Sequence, residues 1–317
     1  MDLGFDKIKI EKKKDFLTLK DYSKEEILYL LSLAADIKKE KELFSDRLKG
    51  KNIAMLFDKH STRTRLSFEV AISQLGGNCI YLDAASLQIK RGETIKDSAI
   101  VFGRYLDGLV IRTFSHETIE VFADYSNITV INGLTDMYHP CQALSDLFTI
   151  GEFGLLEKEL KFTYLGDCNN VSNSLMVGFS KLGLDLTLGC SKKYGPSAEI
   201  LQYCQKQAAK SGSKINIIND PFDAVECADI IYTDVWISMG DKDSAEKVKE
   251  LSAFQVNSKL LAYAKPGVKV MHCLPAHREQ EITSEVLDGN HSVIWQQAEN
   301  RLHAQKALLV YLFSENF

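Results

Sequence analysis

The sequence predicts an α/β protein of two doubly wound parallel sheets. Three observations carry this: short apolar runs alternate with helical patterns, turn residues bound each run, and the rhythm restarts after about residue 150. Residues 51–57, 78–82, 108–112 and 128–131 read as buried strands, being brief and rich in β-branched or aromatic side chains. Helical patterns at 64–75 (closed by Gly76-Gly77), 94–105 and 115–125 separate them, and another follows at about 139–149. Strands joined by helices of that length imply a parallel sheet covered on both faces.

In the second half, residues 161–165, 184–188, 214–218, 229–233 and 268–271 read as strands, with helices at 172–182, 197–210 and 243–251. Gly151-Glu-Phe-Gly154 is the expected joint, giving domains over residues 1–150 and 151–295. A last helix lies within 296–317, with apolar residues at Leu302, Ala304, Ala307, Leu308, Val310 and Tyr311. Periodicity does not choose its partner; it is expected to pack back on the first domain.

Composition narrows the function. Lys and Arg number 38 against 43 Asp and Glu, a net charge of −5, which argues against a general nucleic-acid binder. No stretch approaches the ~18 apolar residues of a membrane span, and the start, Met1-Asp2-Leu3-Gly4 and then lysines, has no signal-peptide core. Seven scattered cysteines without a Cys-x-x-Cys pair fit reduced thiols, so a cytoplasmic protein is expected.

Chemistry is expected beyond the carboxyl ends of the strands. The first strand runs into Asp58-Lys-His-Ser61-Thr62-Arg63-Thr64-Arg65 and then a helix. Three hydroxyls and two guanidiniums at a helix N-terminus make an anion trap. A lone Ser or Thr there would be a simple cap, and no Walker loop is present. The strand at 108–112 ends in Arg112-Thr113, and His139-Pro-Cys-Gln142 opens a later helix with Pro140 at its first position. That places His139 and Gln142 at the end where an anion would sit.

In the second half, Gly166-Asp-Cys-Asn169-Asn170 follows a strand, but a dinucleotide fingerprint needs glycine where Cys168 and Val171 stand. An oxidoreductase on a similar fold is thereby disfavoured, and the two asparagines suit an amino-acid substrate instead. Asp234, at another strand end, suits a cationic amine, although such an Asp is often a turn residue. His272-Cys273-Leu274-Pro275 ends the last strand; adjacent His and Cys rarely both reach one zinc ion. A thiol poised among acids and bases fits better, against the ordinary reading of a small buried hydrophobe.

Taken together these segments resemble the carbamoyltransferases, specifically the ornithine members, in order along nearly the whole chain. The matching motifs are Ser-Thr-Arg-Thr-Arg at 61–65, Gln88 with Arg91-Gly92-Glu93, Arg112-Thr113, His139-Pro-Cys-Gln142, Asp167 to Asn170, Asp234 with Ser238-Met239-Gly240, His272-Cys273-Leu274-Pro275 and Glu299-Asn300-Arg301. Aspartate members lack Ser-Met-Gly and His-Cys-Leu-Pro; putrescine members, the alternative for this chain, depart at Ser-Met-Gly. N-acetylornithine members typically carry Leu where Thr62 stands.

The resemblance implies transfer of a carbamoyl group from carbamoyl phosphate to L-ornithine, in a cleft between the two domains, with no metal or organic cofactor. It implies that Ser61, Thr62, Arg63, Thr64 and Arg112 hold the phosphate, and that His139 and Gln142 hold the carbamoyl group. Gln88 is expected to reach a neighbouring subunit's site, which implies a homotrimer or an assembly of trimers. Asn170, Asp234, Ser238 and Met239 would bind ornithine, Cys273 and Leu274 would touch the carbamoyl end, and Arg301 would close the set. Cys273, Arg112 and His139 are the catalytic candidates, with Cys273 as proton acceptor. Residues 236–251, pivoting at Gly240, are the expected lid. A non-catalytic relative would bind these ligands without turnover, yet every motif position that the chemistry needs is filled.

Overall fold

The computed structural model describes residues 14–59, 61–157, 159–237 and 244–314. It comprises two compact units: Met1–Phe148 with Asn300–Phe317, and Thr149–Glu299.

The first unit holds four parallel strands, β1 (Asn52–Phe57), β2 (Asn78–Asp83), β3 (Gly108–Arg112) and β4 (Thr129–Leu134), in the order β2-β1-β3-β4. Central β3 is buried along its whole length, as an apolar run in a parallel sheet requires. Ala54 and Leu56 of β1, Leu109 and Ile111 of β3 and Val130 of β4 pack with Ile119 and Phe122 to form one core face. Around the sheet lie α1 (Lys24–Lys39), α2 (Thr62–Gln74), α3 (Ile95–Tyr105), α4 (His116–Tyr125) and the start of α5 (Pro140–Glu152).

Two features differ from the sequence expectation. Helix α1 is an element the sequence reading does not assign, although Ser23 and Glu26 form a full capping box at its start, a signal worth about 1 kcal/mol. Edge strand β2 is not covered on both faces: Ile80 and Tyr81 are 41% and 37% exposed. An edge strand has only one neighbour in the sheet, so its outer flank is left to whatever the surface meets.

The second unit holds five parallel strands, β5 (Phe162–Leu165), β6 (Leu186–Gly189), β7 (Ile215–Ile218), β8 (Ile230–Thr233) and β9 (Lys269–His272), in the order β7-β6-β5-β8-β9. Helices α6 (Asn170–Leu182), α7 (Ala198–Ser211), α8 (Pro221–Val225), α9 (Ser244–Leu251), α10 (Ser258–Leu261) and α11 (Ser284–Leu287) flank it. Trp236, Ile231, Leu251 and Val270 lie in its core. Helix α6 opens directly after β5 because Asn169 caps it, accepting from Val171 N and Ser172 N.

The predicted joint at 151–154 falls at the end of α5. The last helix, α12 (Ile294–Phe313), belongs from Asn300 onward to the first unit. There Tyr311 donates to Glu26 of α1 at 3.1 Å, and Phe313 fills the space over Gly108, where a Cβ would approach to 2.3 Å. This stretch is buried almost all round, Gln305 and Lys306 included. The apolar spacing alone describes only one of its faces.

Candidate active site

In the first unit, the carboxyl ends of β1, β3 and β4 gather the predicted anion-binding residues. Ser61 is the N-cap of α2 and accepts from Thr64 N at 3.2 Å. Thr62 and Arg63 stand exposed in the first helical turn, and Thr64 is buried. Four backbone N–H groups and the positive end of the helix dipole face outward at such a terminus. Arg112 is the buried last residue of β3.

Arg301 of α12 ties this loop to α5: its Nη1 donates to Gln142 Oε1 at 2.6 Å and its Nη2 to Thr64 Oγ1 at 3.2 Å. Gln142 Nε2 in turn donates to the fully buried Asp146 at 2.8 Å. Pro140 does open α5, but His139 and Gln142 are buried rather than facing outward. Gln88 begins the exposed Gln88–Arg91 turn and takes no part in this lattice.

Burial, with the Arg301 and Arg112 guanidiniums beside it, holds His139 well below the ordinary histidine range. Its imidazole is therefore neutral near pH 7 and can donate one N–H to a carbonyl oxygen without carrying charge. Burial and nearby Lys20 likewise pull His116 down to about 4. The unfolded chain takes up these protons as pH falls below about 6.5, while the folded protein does not, so stability decreases with acidification. The melting temperature is expected to drop between pH 7 and pH 5, and to drop less in His116→Asn; equal slopes for both proteins would refute the assignment.

In the second unit, the predicted residues meet at the ends of β5, β8 and β9. Asp234, buried just past β8, is the hub. It accepts from the Cys273 thiol (2.7 Å), from Asn169 Nδ2 (2.7 Å) and from Val235 N (2.7 Å). Asn170, the first residue of α6, is half-buried beside this cluster's asparagine.

Cys273 and Leu274 are held by a buried relay. His272 Nε2 pairs with Glu281 Oε1 at 3.0 Å, both side chains wholly inaccessible. That fixes the proton on Nε2, so Nδ1 accepts from Leu274 N at 2.8 Å. The bond supports a Leu274 backbone at φ +59°, a left-handed conformation uncommon for a branched residue. His272 N donates to Gln297 Oε1 at 2.8 Å. Asp234, His272 and Cys273 bring ligand-type atoms within 4.8 Å of one another. Both ring nitrogens of His272 are already committed, however, to Glu281 and to Leu274 N, so the trio does not offer a metal its three ligands.

Ser238, Met239 and Gly240 lie outside the described residues. The two ends of the expected lid over 236–251 are anchored: Trp236 and Leu251 are core residues. Helix α9 is tied down by Lys247 to Asp167, 2.8 Å and nearly buried, and by the surface pair Lys193–Glu246. Gly166 is a required glycine here, since at φ +112° its Cβ would stand 2.8 Å from Trp236 Nε1.

The family model for the carbamoyl-phosphate-binding domain of aspartate/ornithine carbamoyltransferases matches residues 14–152. The model for their aspartate/ornithine-binding domain matches residues 158–312. The chain belongs to the aspartate/ornithine carbamoyltransferase family. It is 50% identical over 303 residues to an ornithine carbamoyltransferase of Methanosarcina acetivorans, covering 95% of this chain and 99% of that one. It is 51% identical to that of Anoxybacillus flavithermus, covering 95% and 97%. Its fold matches the solved ornithine carbamoyltransferase of Pyrococcus furiosus with TM-score 0.92 at 45% identity, covering 97% and 100%.

Asn169, one of the two asparagines that the sequence offers for an amino-acid substrate, is the one that holds Asp234. Asp146, Lys247, Glu281 and Gln297 are absent from the sequence prediction and orient other members of the candidate site. They lie in unremarkable contexts; Asp146 meets Gln142 one helical turn away, whereas Lys247 meets Asp167 across 80 positions.

Proposed function

We propose that this chain catalyses transfer of the carbamoyl group from carbamoyl phosphate to the δ-amine of L-ornithine, giving L-citrulline and phosphate. The observation that carries the reading is the Cys273–Asp234–Asn169 cluster. A buried carboxylate bonded to a thiol and an amide suits an amine that must be held and then deprotonated. Relatives named ornithine carbamoyltransferase at about half identity support the same substrate.

Ser61, Thr62, Arg63, Thr64 and Arg112 bind the phosphate, with hydroxyls, helix-terminal N–H groups and guanidinium forks matched to its oxygens. His139, Gln142 and Arg301 meet the carbamoyl group, and, as the family resemblance implies, Cys273 and Leu274 touch its end. Asn170 and Asp234 hold ornithine, joined on the strength of the family resemblance by Ser238 and Met239. The amine resembles lysine, with a pKa of about 10.4, so losing its proton at pH 7 costs about 4.6 kcal/mol without help. Asp234 steadies the ammonium; the Cys273 thiol gives up its own proton to solvent on pairing with the ammonium, and the resulting thiolate takes the ammonium proton. The amine nitrogen then attacks the carbamoyl carbon, and negative charge builds on the carbamoyl oxygen, which Arg112, neutral His139 and Thr64 stabilise. The bond to the phosphate oxygen breaks, the attacking nitrogen gives its second proton to the departing phosphate, and phosphate leaves against Arg63.

The test is citrulline formation by the purified protein, with putrescine and aspartate as rival acceptors; preference for either rival refutes the specificity. Cys273→Ser is expected to impair ornithine use and to move the pH profile of kcat/KM, because an alcohol is a far weaker acid than a thiol. An unchanged profile would remove Cys273 from proton transfer.

The proposed assembly is a homotrimer or a set of trimers. In its support, Leu66 and Val70 of α2 and Ile80 and Tyr81 of edge strand β2 are each left 37–55% exposed, large side chains that an interface would cover. Gln88 then serves a neighbouring copy's site. Light scattering is expected to give a trimeric mass, or a multiple of it, and Ile80→Asp to lower it; a monomeric wild type would contradict the assembly.

A further inference from the structure

One buried hydroxyl, outside the proposed machinery, is bonded to the turn that carries Asn169. Tyr164 lies on β5 and is wholly inaccessible. It stands opposite Tyr232 of β8 in the sheet, and the two rings stack, with centroids 5.6 Å apart and planes 20° from parallel. Beyond these strand ends the chain runs to Asn169 and to Asp234 respectively. The sheet therefore fixes the Tyr164 ring at the root of both loops.

The Tyr164 hydroxyl donates to Asp167 O at 2.9 Å and to Asn169 Oδ1 at 3.3 Å. A phenol has one proton to give, so that proton is shared across the turn leading from β5 into α6. Asn169 Oδ1 also accepts from Val171 N at 2.9 Å and from Ser172 N at 3.4 Å. Three donors on the oxygen leave the amide one orientation, with Nδ2 donating to Asp234 Oδ2 at 2.7 Å. The backbone donors belong to the helix and the hydroxyl to the sheet, so the amide is braced from two sides. Burial chiefly, with the Asp234 carboxylate nearby, pushes the Tyr164 phenol well above the ordinary tyrosine range. It stays a protonated donor.

We propose that Tyr164 is a positioning residue for carbamoyl transfer, its hydroxyl holding the Asn169 amide against Asp234 and so setting where Asp234 meets the amine. The inference rests on the reading of Asp234 as an ornithine contact. Without the brace Asn169 still caps α6 through the two backbone donors, but its amide is free to shift. Asp234 then loses a fixed partner at the point where it steadies the ammonium. Misplacing such a contact by about 1 Å costs up to about a hundredfold.

Tyr164→Phe tests this, since it removes a single oxygen atom and keeps the stacked ring. The kcat/KM for ornithine is expected to fall on the order of tenfold, mostly through KM, while carbamoyl phosphate affinity holds. Asn169→Ser keeps a capping oxygen and removes the amide that reaches Asp234. Adding Tyr164→Phe to Asn169→Ser should cost no further activity, although Tyr164→Phe should lower the melting temperature in both backgrounds. A crystal structure of Tyr164→Phe should show Asn169 Nδ2 drawn away from Asp234.

An unchanged ornithine kcat/KM, equal losses on adding Tyr164→Phe in both backgrounds, or an Asn169–Asp234 bond that persists in the variant overturns the proposal. If Tyr164→Phe does not fold, Asn169→Ser decides: ornithine kcat/KM should fall tenfold or more at unchanged carbamoyl phosphate affinity, and a smaller fall overturns it. If the unaltered protein makes no citrulline, the functional reading fails, and the crystal structure of the variant alone still decides whether Tyr164 places Asn169.

Discussion

Arg63→Ala is expected to reduce citrulline formation by about a hundredfold to a thousandfold, the cost of removing one preorganised donor from a developing charge. Arg63 is exposed in the first turn of α2, next to Ser61, whose hydroxyl caps the helix, and Thr64, which Arg301 holds. Its guanidinium contributes no core packing, so thermal stability should change by no more than about 0.5 kcal/mol. Arg63→Lys should recover part of the rate, since it keeps the charge but loses the two-pronged fork. The measurements are steady-state rates at varied carbamoyl phosphate, together with melting curves. A tenfold or smaller loss in the alanine variant would take Arg63 out of the phosphate site.

Asp234→Asn tests the other half of the chemistry. The carboxylate accepts three hydrogen bonds, from Cys273, Asn169 and Val235 N. An amide of the same shape offers one acceptor oxygen and turns two donors toward groups that are themselves donors. It also removes the negative charge that steadies the ammonium before proton loss. Replacing a buried orienting carboxylate by its amide in this way costs catalysis about ten-thousandfold in a comparable triad, and a loss of about a thousandfold or more is expected here. Carbamoyl phosphate affinity, read by calorimetry, should stay unchanged, because Asp234 belongs to the unit that does not carry Ser61–Thr64. A weakened carbamoyl phosphate affinity, or a fall of less than tenfold in kcat/KM for ornithine, would refute the role given to Asp234.

Much of the fold was legible because local signals and the sheet agreed. Every predicted strand overlaps an observed one, since a strand buried on both faces is a short apolar run that little else imitates. Helix α1, capping box included, lies outside this pattern, because strand–helix alternation says nothing of a helix that precedes the first strand. The expected cover over β2 failed for a related reason: apolar content does not distinguish a central strand from an edge strand, which has only one neighbour in its sheet. The expected lid over 236–251 is anchored at both ends by core residues, Trp236 and Leu251, a burial that loop composition alone does not reveal.

The site divides along the same line. Ser61 to Thr64, Arg112, His139 and Asp234 were legible because each sits at a strand's carboxyl end or a helix start, places that the order of elements alone defines. Asp146, Lys247, Glu281 and Gln297 carry no such mark, and only the folded chain reveals what they touch.

The sequence by itself determined the two parallel-sheet units and the loops that bear reactive groups, because apolar periodicity and turn chemistry act over a few neighbouring residues. The tertiary structure decided how those groups are tuned. Arg301 meets Thr64 across 237 positions, Cys273 meets Asp234 across 39, and His139 stays neutral through burial beside two guanidiniums. Hydrogen bonding and desolvation depend on distances through space, and those distances exist only once the chain has folded.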